Sequence, residues 1–336
     1  MVVFTGSELK GLLNSFTGKR IAVVGDLMLD RYFWGSVGRI SPEAPVPVVE
    51  VSEESTRLGG AANVANNIAS LGGIPIPVGI RGADANGRVL AEVISGLGFS
   101  VDGIIEDPSR PTTVKTRVIA DGQHVVRVDQ EVKQDIGNPV AEKVLSFLRS
   151  HIDDLDGIIL QDYNKGVLTS PLIADIIALA RSKGKILTVD PKFKNFFSYK
   201  DATVFKPNRK ETEEALGIRM ESEEDVRGAG KRLLEDLHAD NVLLTLGEKG
   251  MALFESSGDV SFVATKARHV ADVSGAGDTV IATLTVALAS GADIKQASIL
   301  ANFAGGIVCG EVGIVPIEQQ VLLREVAASE HVKGGS

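Results

Sequence analysis

The stretch Ile21-Ala22-Val23-Val24-Gly25-Asp26 joins four consecutive apolar residues to a glycine and a carboxylate. An unbroken apolar run of this length indicates a strand that is covered on both faces, as in a parallel sheet between helices. Similar runs recur at 74–80, 157–160, 186–189, 202–205 and 242–246, and helical patterns lie between many of them, at 61–71, 85–97, 139–148 and 171–181. This alternation predicts an α/β fold with a mainly parallel central sheet.

Local signals mark where two of the helices begin. Thr5 is followed three residues later by Glu8, which predicts a capping box at the start of an N-terminal helix. Ser170 is the predicted cap of a later helix, with Pro171 at its first position. At the other end of the chain, residues 331–336 are expected to form a flexible tail after a single domain over 1–330.

Two segments interrupt the strand and helix alternation and predict a separate small sheet. The first is 31–51, and the second, within 111–131, is a hairpin with the turn Asp121-Gly122. Alternation places Lys115 and Arg117 on one face of this hairpin. These charges belong either to a solvated sheet surface or to a lid that presents cations to an anionic ligand.

Composition excludes several functional classes. The chain has 336 residues with 36 glycines and a net charge of −9, which disfavours nucleic acid as a partner. Its single cysteine, Cys309, forbids an intrachain disulfide and fits a reducing compartment. The N-terminus lacks the pattern of a secretory leader, and the longest apolar run, 279–289, is too short to cross a bilayer. We expect a cytoplasmic protein without membrane association.

The densest group of polar and glycine residues is Gly275-Ala276-Gly277-Asp278, directly before an apolar helix pattern at 280–289. The glycines allow several backbone N–H groups to point into one concavity, where the helix dipole favours an anion such as phosphate. Asp278 is then either a general base beside a phosphoryl group or an ordinary acidic residue of a first helical turn. Spacing alone does not separate these two interpretations.

Further candidates follow predicted strands. Asn208 and Glu211 fit either a helix capping box or a pair that holds hydrated Mg²⁺ through water. The loop from Thr245 to Gly250, with Gly247 between them, is a weak signal. Asp26 and Asn63 suit sugar hydroxyls, and Gly59 and Gly60 allow close backbone approach, although turn geometry explains these glycines equally well. The polar segments 162–166 and 190–192 also follow strands and face the same sheet edge.

The chain resembles the ribokinase-like family of sugar kinases over residues 18–325, because three motifs occur in the order and with the separation typical of that family. They are Gly59-Gly60-Ala61-Ala62-Asn63, Asn208-Arg209-Lys210-Glu211 and Gly275-Ala276-Gly277-Asp278. Within the family, residues 25–32 and 39–48 resemble the branch that phosphorylates D-glycero-β-D-manno-heptose 7-phosphate in lipopolysaccharide core synthesis. Asp272-Val273 stands where many members have Asp-Thr, a departure that this branch shares. The chain lacks the His-x-Gly-His element of a fused nucleotidyltransferase, so a stand-alone kinase is expected.

The resemblance implies a three-layer fold with a small β-sheet lid, and an enzyme that transfers phosphate from ATP to the anomeric hydroxyl, giving the 1,7-bisphosphate. Asp278 would accept the hydroxyl proton, and the N–H groups of residues 275–277 would hold the developing charge. Mg²⁺ is an implied cofactor, and whether a monovalent cation also binds stays open. The remaining implied ligands are Arg209, Lys210, Thr245, Gly247 and Gly250 for the nucleotide, Asp26, Gly59, Gly60 and Asn63 for the sugar, and Lys115, Arg117, Arg127 and Lys165 for its distal phosphate.

Two other functions stay open at this stage. One is a kinase of the same family that acts on another sugar or sugar phosphate. The other is a non-catalytic regulatory protein that binds a sugar on the same scaffold. Apolar residues in the lid segments, among them Tyr32, Trp34 and Val48, further predict a homodimer, because a small one-layer sheet cannot bury them alone.

Overall fold

The computed structural model describes residues 3–265, 275–311, 313 and 315–333. In this part of the chain the strands and helices occur in the following order: β1 (Phe4–Thr5), α1 (Gly6–Asn14), β2 (Arg20–Gly25), β3 (Leu27–Ile40), β4 (Pro47–Gly60), α2 (Ala61–Ser70), β5 (Ile74–Arg81), α3 (Ala85–Gly96), β6 (Ile104–Glu106), β7 (Val114–Ala120), β8 (Gln123–Gln130), α4 (Asn138–His151), β9 (Gly157–Gln161), α5 (Ser170–Ser182), β10 (Ile186–Asp190), β11 (Val204–Phe205), α6 (Arg209–Leu216), α7 (Glu223–Leu237), β12 (Asn241–Thr245), β13 (Met251–Glu255), β14 (Val260–Val263), α8 (Ala276–Ala289), α9 (Ile294–Val308), α10 (Gln319–Ala327) and β15 (Val332–Lys333).

Nine strands form the central sheet in the order β14-β13-β12-β11-β10-β9-β2-β5-β6, parallel from β12 to β6 and antiparallel at β13 and β14. Strand β2 shows why its sequence is apolar without interruption. Ile21 and Val23 belong to one buried cluster, and Ala22 and Val24 belong to the cluster on the opposite face. Helices cover both faces, so the predicted three-layer α/β fold with a mainly parallel sheet is confirmed.

Helix α8 lies inside the molecule rather than on its surface. Every residue from Asp278 to Ala287 is buried, which agrees with the nearly continuous apolar sequence. Thr285 donates to the Ile281 carbonyl oxygen at 2.7 Å, so this buried hydroxyl keeps a hydrogen-bond partner. In the described ranges, 3–265 and from 275 onward with its gaps, no helix has both the length and the hydropathy needed to cross a membrane.

The predicted small sheet is present and has four strands in the order β4-β3-β7-β8. Strands β3 and β4 form a long antiparallel pair, and β7 and β8 form the hairpin predicted around Asp121-Gly122. Asp121 and Gly122 both have positive φ, at 51° and 77°, as a two-residue hairpin turn requires. The first lid segment extends further than 31–51, because β3 begins at Leu27 and β4 continues to Gly60. We call this four-stranded unit the lid.

Details at the helix and chain ends differ from the sequence-based expectations. The Thr5–Glu8 capping box is confirmed. The cap of α5 is Thr169 rather than Ser170, because the Thr169 hydroxyl accepts the N–H of Leu172. The flexible tail does not begin at His331, since the His331 carbonyl accepts backbone N–H groups from residues 3 and 4, and β15 pairs with β1.

Candidate active site

Asp278 lies in the first turn of α8, at the carboxyl edge of the central sheet. Gly275 precedes the helix with φ of 80°, in the left-handed region that glycine adopts without strain. Gly277 faces two charged side chains, since a Cβ there would lie 3.7 Å from Asp190 Oδ2 and 3.9 Å from Lys206 Nζ. Asp272-Val273 and the rest of 271–274 lie outside the described residues. The described geometry places the Asp278 carboxylate at the N-terminal end of a buried helix.

Three neutral side chains donate hydrogen bonds to the Asp278 carboxylate. Asn63 Nδ2 donates to Oδ2 at 2.7 Å, whereas Gln161 Nε2 and Tyr163 Oη donate to Oδ1 at 3.1 and 2.7 Å. Asn63 comes from the first turn of α2, Gln161 is the last residue of β9, and Tyr163 lies in the turn that follows β9. The motifs Gly59–Asn63 and Gly275–Asp278 therefore meet at one carboxylate.

Burial of Asp278 makes it a stronger base than an exposed carboxylate. Desolvation raises its pKa to about 6, and the hydrogen bonds from Asn63 and Tyr163 oppose that rise. A carboxylate with this pKa is ionised at neutral pH yet binds a proton more readily than an ordinary aspartate. An ordinary acidic residue of a first helical turn, favoured there by the helix dipole, would lie at the surface. Asp278 is buried and held by three donors, so the geometry favours the general-base interpretation.

Two lysines lie close to Asp278: Lys192 belongs to the 190–192 segment expected at this sheet edge, whereas no role was predicted for Lys206. Lys206, with a side chain 3% exposed, lies at the end of β11 and forms an ion pair of 3.1 Å with Asp190 Oδ2. Lys192 pairs with Glu211 and lies over the Tyr163 ring, 5.7 Å from its centroid. A buried cation beside a general base suits the stabilisation of phosphoryl charge. The signal available in the sequence was the position of both lysines directly after apolar strands.

A cleft of about 580 Å³ opens next to these groups and contains most of the predicted nucleotide ligands. Its wall includes Asn208, Arg209 and Lys210 from the start of α6, Thr245, Gly247 and Gly250 from the β12–β13 connection, and residues 275–278. Cys309 also lines the cleft, as do Asn302, Gly305 and Gly306 on α9. The structure thus brings together the second and third sequence motifs on a single cavity.

Asn208 and Glu211 form the capping box that was one of the two interpretations. Asn208 Oδ1 accepts the Glu211 N–H at 2.8 Å, and Glu211 Oε2 accepts the Asn208 N–H at 2.9 Å. Glu211 Oε1 is paired with Lys192. Across the described residues no cluster of three or more His, Cys, Asp or Glu could hold a metal directly. The capping box and Lys192 already use one lone pair on each carboxylate oxygen of Glu211, and the second lone pair can accept a hydrogen bond from water. With so few direct ligands, these residues fit magnesium only through bound water.

Asp26 accepts three hydrogen bonds from a neighbouring turn. Its carboxylate accepts the backbone N–H groups of Tyr163 at 2.8 Å, Lys165 at 3.1 Å and Val167 at 3.2 Å. Burial, followed by the charge of Asp162, raises its pKa to about 6 despite these bonds. Asp26 therefore holds the 163–167 turn against the end of β2. A sugar contact by Asp26 would have to use its remaining lone pair.

Gly59 and Gly60 are explained by close packing. A Cβ on Gly59 would lie 2.4 Å from Asp30 Oδ2, and one on Gly60 would lie 2.4 Å from the Asp26 carbonyl oxygen. Gly60 also has φ of 57°. These contacts bring the start of α2, and with it Asn63, close to β3, so the glycines contribute by allowing that approach.

All four predicted phosphate-binding cations have carboxylate partners in the lid or near it. Arg117 pairs with Asp30 and lies over the Tyr32 ring, whereas Arg127, 57% exposed, pairs with Asp129 at 2.9 Å. Lys165 and Lys115 converge on Glu131 Oε2, at 2.7 and 3.4 Å. The two lysines are only 12% and 15% exposed, and they bring two positive charges to one point below the lid.

The segment that carries Glu131 is held in place by a residue that sequence reasoning missed. Arg110 Nη2 donates to the carbonyl oxygens of Val132, Gln134 and Lys165, at 3.1, 2.9 and 2.9 Å. Arg110 thereby joins the segment after β8 to the turn after β9. This arrangement keeps Glu131 and Lys165 together, and nothing in the local sequence indicates it.

Comparison with known proteins identifies the family. The model of the pfkB family of carbohydrate kinases matches residues 19–319. This chain belongs to that family. The predicted kinship with ribokinase-like sugar kinases is confirmed, and with it the class of enzyme, an ATP-dependent sugar kinase.

Curated relatives are more than 40% identical to this chain over the aligned residues. Bifunctional protein HldE of Geobacter sulfurreducens is 47% identical over 291 residues, which cover 87% of this chain and 59% of the relative. Bifunctional protein HldE of Helicobacter pylori strain J99 is 43% identical, over 88% of this chain and 64% of the relative. The chain thus spans less than two thirds of the length of these relatives.

Solved structures confirm the ribokinase-like fold. Arabidopsis thaliana ribokinase, in complex with ribose and ATP, superposes with a TM-score of 0.71 at 21% identity, covering 92% of this chain and 98% of that protein. Phosphofructokinase-2 of Escherichia coli, in complex with fructose-6-phosphate, gives 0.73 at 16% identity, over 93% and 99%. At 21% and 16% identity, this structural similarity establishes the fold alone.

Proposed function

We propose that this kinase transfers the γ-phosphoryl group of ATP to the anomeric hydroxyl of D-glycero-β-D-manno-heptose 7-phosphate, giving the 1,7-bisphosphate for lipopolysaccharide core synthesis. The observation that carries the transfer chemistry is the buried Asp278 carboxylate at the N-terminal end of α8, beside a 580 Å³ cleft and the Lys206–Asp190 pair. The heptose substrate is supported by the resemblance of residues 25–32 and 39–48 to the heptose kinase branch. Relatives named HldE, at 41–47% identity, add to that support.

The chemical step requires one proton acceptor and one set of charge-stabilising groups. Asp278 takes the proton of the sugar hydroxyl while the hydroxyl oxygen forms a bond to the γ-phosphorus. The bond between that phosphorus and the bridging oxygen breaks, and ADP leaves with the electron pair. The N–H groups at the start of α8 and the ammonium of Lys206 stabilise the charge on the transferred group.

The nucleotide is proposed to bind in the cleft between the start of α6, the 245–250 connection and α9. Arg209 and Lys210 offer positive charge at one wall, and Gly247 and Gly250 also line the cleft. Arabidopsis thaliana ribokinase, which has the same fold, was solved in complex with ribose and ATP, and this supports neighbouring sites for a sugar and a nucleotide. Asn208 and Glu211 would hold Mg²⁺ through water, where the ion would neutralise phosphate charge. A requirement for a monovalent cation stays a prediction.

The sugar is proposed to lie between Asp278 and the lid, with its distal phosphate at Lys115 and Lys165. Tyr163 contacts Asp278, and Lys165 follows it by two residues in the same turn. The proposed phosphate site at the lysines is therefore separate from Asp278, where the anomeric hydroxyl would react. A phosphate on C7 lies at the other end of the sugar from that hydroxyl, so it suits this arrangement. Glu131, which now pairs with both ammonium groups, would be displaced by the dianionic phosphate.

Steady-state assays with a panel of sugars test this function. Purified protein is mixed with ATP, Mg²⁺ and each of heptose 7-phosphate, unphosphorylated heptose, fructose 6-phosphate and ribose, and ADP release is followed. The highest kcat/KM is expected for heptose 7-phosphate, with a product that carries phosphate on C1. Preference for another sugar would replace the substrate assignment. Absence of transfer to every sugar, with retained sugar binding, would favour a regulatory binding protein.

A homodimer through the lid is part of the proposal. Cross-strand pairs place Phe33, Val118 and Val126 on one lid face, opposite the face of Asp30 and Arg117. Val126 and Val128, on this apolar face, are 49% and 56% exposed. Tyr32, by contrast, is already buried within the chain at 8% exposure, so it is not part of the surface a partner would cover. A second copy would remove the apolar face from water.

A further inference from the structure

We propose that Tyr163 is a positioning residue for phosphoryl transfer: its hydroxyl occupies Asp278 Oδ1 and thereby assigns Oδ2 as the oxygen that accepts the substrate proton. The inference rests on the proposed function, in which Asp278 is the general base. No local pattern around Tyr163 indicates this role. It emerges from the hydrogen bonds that converge on one carboxylate.

The assignment follows from counting lone pairs. Each carboxylate oxygen accepts about two hydrogen bonds. Asp278 Oδ1 already accepts two, from Gln161 Nε2 at 3.1 Å and from Tyr163 Oη at 2.7 Å. Oδ2 accepts one, from Asn63 Nδ2 at 2.7 Å. A hydroxyl that approaches Asp278 therefore finds its free lone pair on Oδ2, next to the Asn63 amide.

Tyr163 is held rigidly enough to act in this way. Its backbone N–H donates to Asp26 Oδ2 at 2.8 Å, and its side chain reaches Asp278, so it connects the end of β2 to the start of α8. The turn that carries it is braced by Asp162, which accepts the Asn164 N–H and the Tyr199 hydroxyl, each at 2.7 Å. Asn164 adopts φ of 55°, a conformation that these contacts stabilise.

Charged groups around Asp278 also shift its pKa, in addition to the hydrogen bond from Tyr163. Asp190, at the end of β10, raises the pKa of Asp278, whereas Lys206, at the end of β11, lowers it. Lys192, from the segment after β10, lies over the ring of Tyr163. Burial and the Asp278 charge raise the pKa of the Tyr163 phenol well above its ordinary value, so the phenol stays protonated and donates. Loss of this donor removes one group that favours the ionised carboxylate.

The test compares Tyr163→Phe with Tyr199→Phe in pH profiles of kcat. Both variants delete one buried phenol that donates to a carboxylate, but only Tyr163 donates to Asp278. We expect Tyr163→Phe to lower kcat roughly 10-fold or more and to move its acid limb up by about one pH unit. KM for ATP should change little. Tyr199→Phe should leave the position of the acid limb unchanged, whatever it does to the unfolding temperature.

A second substitution covers the case in which Tyr163→Phe folds poorly. Incorporation of 3-fluorotyrosine at position 163 preserves the ring and hydroxyl but makes the phenol a stronger donor. The acid limb should then move to lower pH, opposite to the Phe variant. Movement in the same direction in both proteins, or no movement in either, would overturn the inference.

The outcome separates this inference from the proposed function. If the wild-type protein phosphorylates no sugar in the panel, the proposed function fails. If the wild type is active and Tyr163→Phe retains its kcat and pH profile, the function stands and the role of Tyr163 is rejected. An acid limb that moves equally in Tyr163→Phe and Tyr199→Phe would likewise reject it, because a general disturbance of the turn would then explain the change.

Discussion

Asn63 Nδ2 lies 2.7 Å from Asp278 Oδ2, so residues 215 positions apart in the chain meet at the proposed general base. The bond joins the first turn of α2 to the first turn of α8. Two glycine-containing motifs, each ambiguous in isolation, thereby become parts of one site.

Replacement of Asp278 by Asn should abolish turnover while preserving the fold. The amide is close in shape to the carboxylate but cannot accept the substrate proton, so kcat should fall by at least ~10²-fold. ATP affinity, measured by calorimetry, should stay near the wild-type value. A purified Asp278→Asn protein with wild-type kcat would remove Asp278 from its role.

The same variant should gain stability relative to the wild type as the pH rises from 4 to 8. The pKa of Asp278 rises from 3.8 to about 6 on folding, so its contribution to stability is fully present below 3.8 and is lost as pH rises through 6. Asn is neutral throughout. Asn cannot accept all three hydrogen bonds of the carboxylate, which adds an offset that does not depend on pH. Urea unfolding of the ligand-free proteins should therefore show the free energy of unfolding of Asp278→Asn, relative to the wild type, increasing by about 1–3 kcal/mol between pH 4 and pH 8. A constant difference across this range would contradict the prediction.

The activity of the wild type should decrease on the acid side of about pH 6. Below that pH a proton occupies Asp278, whose pKa is raised to about 6 by burial, and the base can no longer accept one from the sugar. The measurement is kcat at saturating ATP and sugar phosphate between pH 4.5 and 8. At the lowest pH values, a control tests whether the lost activity reflects unfolding. An activity that remains level down to pH 4.5 would show that no group with this pKa governs the step.

Removal of the two converging lysines should weaken binding of the sugar phosphate only. Lys165→Met and Lys115→Met each delete a partly buried charge, so KM for heptose 7-phosphate should rise roughly 10-fold or more. KM for ATP should be unaffected. Arg127→Ala is the comparison: the family resemblance implies Arg127 as a phosphate ligand too, but its ion pair with Asp129 is exposed and worth only about 0–1 kcal/mol, so we expect a much smaller rise in KM. Equal effects of all three substitutions would place the phosphate elsewhere.

Glu131→Gln should act in the opposite direction. In the ligand-free protein Lys165 and Lys115 outweigh burial and hold the pKa of Glu131 below its ordinary value, so the residue is an anion at neutral pH. Its neutral replacement no longer competes with the substrate phosphate, and KM for heptose 7-phosphate should fall. KM for unphosphorylated heptose should not change. A higher KM in Glu131→Gln would indicate that the carboxylate orients the lysines instead.

The protein should be a dimer in solution, and charges on the apolar lid face should separate the two copies. Light scattering at micromolar concentration should report twice the chain mass of 35.5 kDa for the wild type. The double variant Val126→Asp and Val128→Asp should be monomeric, whereas Leu97→Asp, exposed at 48% at the C-terminal end of α3 and outside the lid, serves as a control for added charge. A wild type that is monomeric and fully active would end the dimer proposal.

Much of the fold was predictable from local pattern. Continuous apolar runs such as 21–24 can be satisfied only by burial on both faces, and the turn Asp121-Gly122 supplies the backbone conformations that a tight hairpin needs. Those constraints act within a few residues, so the central strands, most helices and the lid hairpin follow from them. The cap at Thr169 was missed because adjacent Thr and Ser residues offer equivalent hydroxyls to the same helix end.

The roles of individual site residues were decided only by tertiary contacts. The sequence could place Asp278, Asn208 and Lys165 near strand or helix ends, since that requires only the period of the surrounding residues. It could not show that Tyr163 donates to Asp278, that Lys206 pairs with Asp190, or that Glu131 lies between two lysines. Such pairs join residues from separate elements, and their distances depend on how sheet, helices and lid pack together. Burial and electrostatic coupling, which set the basicity of Asp278, therefore arise from the assembled structure and have no counterpart in any local stretch of the chain.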